Sequence, residues 1–130
     1  MSSSMLLIRR ALVAAPLLFL LGASGAATLQ QDLMTHAMVL RGEIDGRPIQ
    51  LSLQPKKNED GLEGRYFFFG GSPEIMVAGE VEGDSLLMEE SVNGRDVSGQ
   101  WDGRRQGNAI TGTWSNADGS VNKPFSLQIP

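Results

Sequence analysis

Cysteine is absent from all 130 residues and histidine occurs once, at His36. Without cysteine there is no thiol nucleophile, no disulfide and no lipidated N-terminal cysteine, and one imidazole cannot build a histidine-based metal cluster. The serines stand in no nucleophile-elbow pattern. The one glycine-bracketed basic stretch, 103–107, reads as an arginine-bearing turn rather than a strand-to-helix phosphate cradle. No catalytic residue, metal ligand or cofactor site is therefore expected, and the chain reads as a non-enzyme. Helical periodicity is lacking as well. Long apolar runs are confined to the N-terminus, where 11–21 is too short for a comfortable membrane span.

That N-terminal run has the parts of an export signal. Arg9 and Arg10 precede the apolar stretch, and the small residues of 22–27 follow it, so cleavage is expected after Ala26 or Ala27. The arginine pair hints at a twin-arginine route, but its flanking residues fit general secretion better. The expected organisation is a signal peptide at 1–27, a linker or frayed helical turn without a strong cap at 28–36, and a β-domain at 37–130. Periplasmic or secreted localisation follows. Losing Arg9 and Arg10 leaves nine basic and fifteen acidic residues, a net charge of −6. That balance disfavours nucleic acid and anionic membranes as partners and suits a cationic one.

What remains is dominated by short segments of period-two alternation, the mark of strands with one face inside and one in water. Strands are expected at 37–44, 47–53, 62–69, 74–82, 85–90, 96–102, 108–115 and 121–129. They are joined by turns such as Asp45-Gly46, a strong hairpin signal, and by the longer polar loop 54–61. Gly42, Gly64, Gly79, Gly99 and Gly112 fall inside strands, where they permit sharp coiling and make room for neighbouring rings. Three of them open a recurring Gly-polar-apolar-acid-Gly pattern, at 42–46, 79–83 and 99–103. The fold expected is all-β: an eight-stranded antiparallel up-and-down meander forming a small closed or nearly closed barrel.

Parity sorts the candidate binding residues. Tyr66, Trp101 and Trp114 share the glycine side and point inward, as core or as the wall of a site for a small apolar ligand. Phe67 and Phe69 point outward from the same strand as Tyr66 and suggest a partner or homodimer surface. Glu80, Glu82, Asp84, Glu89 and Glu90 make an acidic cluster on one hairpin, with Arg95, Arg104 and Arg105 in facing turns as possible counter-charges. His36 reads as a solvated residue.

With Gly42-Glu-Ile-Asp-Gly-Arg-Pro-Ile49 near its start and Gly112-Thr-Trp114 near its end, the chain resembles a type of small exported bacterial β-domain without a settled function. The stretch Ile110-Thr-Gly-Thr-Trp-Ser-Asn-Ala-Asp-Gly-Ser120 is similar, over these residues alone, to the first strand and turn of the avidin family of eight-stranded biotin-binding barrels. That likeness implies ligand-contacting roles for Asn116 and Ser120. It sits at the opposite end of the chain from the family's motif, and the family's other pocket tryptophans have no counterparts. Size, charge and export also resemble periplasmic lysozyme inhibitors, whose Ser-Gly-x-x-Tyr loop is echoed only by Glu63-Gly64-Arg65-Tyr66. The function expected is an exported non-enzymatic binding module for a protein partner or a small apolar ligand. The alternative is an inhibitor or protective protein acting on a cationic enzyme such as lysozyme.

Overall fold

The computed structural model describes residues 27–130, so the signal-peptide reading lies almost wholly outside the described residues. Alternation of apolar and polar side chains gives eight strands: β1 Met38–Ile44, β2 Arg47–Pro55, β3 Leu62–Phe68, β4 Ile75–Glu82, β5 Ser85–Ser91, β6 Gly99–Gln106, β7 Ala109–Asn116 and β8 Asn122–Gln128. Each pairs antiparallel with the next in the chain, and β1 pairs with β8 through Arg41–Gln128 to Ile44–Phe125, closing an up-and-down barrel. The first hairpin turns on Asp45 (φ 52°) and Gly46 (φ 81°), the paired left-handed conformations of a two-residue type I′ turn.

Inward positions fill the barrel. Leu40, Ile49, Leu51, Leu62, Leu86, Ile110 and Leu127 are completely inaccessible, as is Trp101 to within 1%. Trp101 packs edge-on against Tyr66 and Phe125, at centroid distances of 5.1 and 4.9 Å. The interior expected to be either core or ligand site is thus occupied by side chains. Glycine sets the tightness of the wall: a Cβ at Gly79 would run into the carbonyl oxygen of Leu87 on the adjacent strand, and one at Gly42 into that of Ser126. Bending that close requires a residue without a side chain.

Three expectations need correction. First, the segment read as a linker or an uncapped, frayed helical turn is an ordered helix, α1 Leu29–Thr35, with a capping box between Thr28 and Gln31. Leu29 and Leu33, one turn apart, are buried in the core, while Leu29 N donates to Asp84 and Arg105 pairs with Asp32 at 2.9 Å. The helix therefore stoppers the end of the barrel where the β4–β5 turn lies. Removing the cap by Thr28→Ala is expected to lower stability by about 1 kcal/mol, read as a shift in the urea midpoint without a change of slope.

Second, β6 starts at Gly99 and runs to Gln106, later than expected. Residues 96–98 belong to the preceding loop, where Asn93 Oδ1 accepts from the amides of Arg95 and Asp96, and Val97 is 40% exposed. Residues 103–106, expected as a turn, are strand. Third, among the described residues Arg95, Arg104 and Arg105 form no ion pair with the acids of the hairpin. The Arg105 side chain reaches Asp32 while its amide donates to the Asp84 carbonyl, and Arg104 donates to Ser85 Oγ.

Candidate functional site

The inward-facing candidates converge on one residue of the acidic hairpin. Glu90 follows Leu86 and Met88 on the inner face of β5 and is only 4% exposed, the one buried charged residue among those described. Its Oε1 accepts three hydrogen bonds, from Tyr66 Oη at 2.8 Å, Trp101 Nε1 at 3.0 Å and Trp114 Nε1 at 2.7 Å. Ser98 Oγ lies 3.4 Å from Oε2. Gly99 makes the arrangement possible, since a Cβ there would press on Glu90 Cδ and Trp114 Nε1 at 2.9 Å.

The site thus joins both indoles and the only phenol of the chain to a single oxygen. Each is a donor that must find an acceptor when buried, and one carboxyl oxygen serves all three. Burial, and then the adjacent Glu90 carboxylate, push the Tyr66 hydroxyl far above its ordinary ionisation range, so it remains a donor. Chemically the cluster is a knot whose three ring donors are all used, and it backs onto the outer hollows, Glu90 belonging to the lining of one and Trp101 to that of the other. Glu90 accordingly leaves the acidic hairpin cluster, of which Glu80, Glu82 and Glu89 stay exposed while Asp84 is partly covered beside α1.

The outward candidates lie elsewhere. Phe67 and Phe69 stack edge-on at 5.3 Å at the outer end of β3, Phe69 being 48% exposed and Phe67 half-buried. Glu89 stands in a different setting, a groove across the outer wall. One hollow of roughly 510 Å³ spans β2 to β5 and a second of roughly 420 Å³ spans β4 to β6, and both are lined by Ala78 and Glu89. Met76 (50% exposed) and Leu87 (58% exposed) supply apolar surface. Glu63, Glu80, Glu89 and Asp102 supply negative charge.

The one basic side chain in the lining, Arg65, is ion-paired with Glu74 at 3.3 Å. The four acids just named form no salt bridge among the described residues. The groove is hidden in the sequence because Met76 and Ala78, on the outward parity of β4, stand alone between Glu74 and Glu80, without the paired rings that mark Phe67 and Phe69. The adjacent pair Leu86-Leu87 carried a signal, since only one of two neighbours on a strand can point inward.

Asn116 and Ser120, the positions suggested by the avidin likeness, bond to each other at 3.1 Å in the exposed β7–β8 turn and line neither the knot nor the groove. Among the described residues no group of three or more histidine, aspartate or glutamate side chains is placed to hold a metal, and no helix is long and apolar enough to cross a membrane. No protein-family model, curated protein or solved structure matches the chain.

Proposed function

We propose that this chain is an exported, non-enzymatic binding module that engages a protein partner through the outer groove of β3–β6. The observation that carries this reading is the groove itself, a concave surface with exposed Met76 and Leu87 among uncompensated carboxylates. Exposed large apolar side chains gathered in a hollow and rimmed by polar groups are characteristic of interaction sites. A packed interior directs recognition to the outside, which favours a macromolecular partner over a small enclosed ligand. The β4–β5 hairpin contributes Glu80, Leu87 and Glu89, so an inhibitor of a cationic enzyme would act through the same surface.

The test is site-specific photocrosslinking in cells exporting the full chain, with the crosslinker placed at Ala78 in the groove or at Thr111 on the outer wall of β7. A discrete adduct from Ala78 and none from Thr111 is the expected result. Equal labelling at both positions, or none at Ala78, would refute the assignment.

A further inference from the structure

The groove's charge pattern specifies more than a positive partner. Strand register aligns Glu63, Ala78 and Glu89 in one row across β3, β4 and β5, and Glu80, Leu87 and Asp102 in the next row across β4, β5 and β6. Each row therefore has an apolar side chain between two carboxylates. Neighbouring strands stand about 4.8 Å apart, so the two acids of a row are separated by roughly 10 Å.

That separation is the rise between positions i and i+7 of an α-helix, about 10.5 Å, with i+3 and i+4 on the same face between them. An extended peptide fits less well. Its same-face residues recur every two positions, so a matching triplet would span roughly 13 Å. Nor can such a peptide join the sheet as an added strand, because the closed barrel has no free edge. Arg104, the next outward residue on β6 after Asp102, donates to Ser85 and leaves the carboxylates open to an external cation.

We infer that the groove accepts a basic amphipathic helix, with its apolar stripe on Ala78 and Leu87 and its lysine or arginine side chains on the flanking carboxylates. This rests on the binding reading above and gives it a partner chemistry. The same charges exclude an anionic lipid surface or a nucleic acid at this groove.

The experiment is calorimetric titration of the full chain with synthetic helical peptides. The probe carries Lys at i and i+7 with Leu at i+3 and i+4. One control replaces the leucines by serine, and another replaces the lysines by glutamate. The inference expects binding of the Lys/Leu peptide that weakens above about 0.2 M salt, where exposed charges are screened within roughly 8 Å. It also expects at least a tenfold loss with the serine peptide, a similar loss in the E89Q/D102N chain, and no binding of the glutamate peptide.

Equal affinity for the leucine and serine peptides would reduce the groove to a non-specific acidic surface and overturn the inference, as would unchanged binding by E89Q/D102N. Failure of the Lys/Leu peptide alongside a specific Ala78 adduct overturns the helix and leaves the binding reading standing. Failure of both removes both.

Discussion

Replacing Glu90 by leucine is expected to destabilise the fold by about 3–6 kcal/mol, because three donors, two of them buried, lose their shared acceptor and a buried one costs about 1–3 kcal/mol when left unpaired. Trp114 contributes least to this loss, because it is only half-buried and can turn to water. Leucine returns part of the loss through apolar contact, which makes the partner variants informative. Adding Tyr66→Phe to Glu90→Leu should restore about 1 kcal/mol, since it removes one of the orphaned donors. Glu90→Gln keeps a carbonyl acceptor and should fall well short of the leucine variant. Urea unfolding followed by tryptophan emission measures all four proteins, both indoles being part of the knot. A Glu90→Leu protein as stable as the parent would mean that the three hydrogen bonds contribute nothing net.

The second large effect lies at high pH. Burial and the neighbouring carboxylate raise the Tyr66 hydroxyl above its ordinary value of 10.0. The folded state therefore holds this proton more tightly than the unfolded chain. Its contribution is fully present below pH 10 and is lost as pH climbs beyond it, by up to about 1.4 kcal/mol for each unit. Near pH 12 the folded protein should have lost about 2–3 kcal/mol to this group alone. Tyr66→Phe should flatten that slope while costing about 1 kcal/mol at neutral pH, where Glu90 keeps both indole donors. Because Tyr66 is the only tyrosine, tyrosinate absorbance should appear together with the loss of native tryptophan emission. Absorbance rising near pH 10 with emission still native would contradict the buried, bonded phenol.

Local patterns made most of the fold legible. Period-two alternation located the eight strands, and the Asp45-Gly46 turn and in-strand glycines pointed to a coiled, closed sheet. The misplaced start of β6 arose because Val97, Gly99 and Trp101 share one parity, yet Asn93 binds the amides that would otherwise extend the strand. The helix was hidden by its length of seven residues. Its signals, Thr28 with Gln31 and Leu29 with Leu33, are present but too short to outweigh a polar background. Glu90 was unreadable for a different reason. An acid on a core parity is credible only when its donors are known, and Trp101, Tyr66 and Trp114 lie 11, 24 and 24 residues away. The groove depends on register between four strands, which no single stretch of sequence contains.

The β1–β8 seam also governs how the molecule assembles. Seven of the eight strand pairings join sequence neighbours and need only short loops, whereas the eighth brings Arg41 to Gln128, across most of the described chain. Its loop-closure entropy is the largest of any pairing, so the seam should zip last, after an open seven-hairpin sheet has formed. Gly42 lies in that seam with the Ser126 backbone against it. A side chain at this position would therefore leave the hairpins intact and trap the chain one step short of closure, as an open sheet with two unpaired edges able to recruit other molecules.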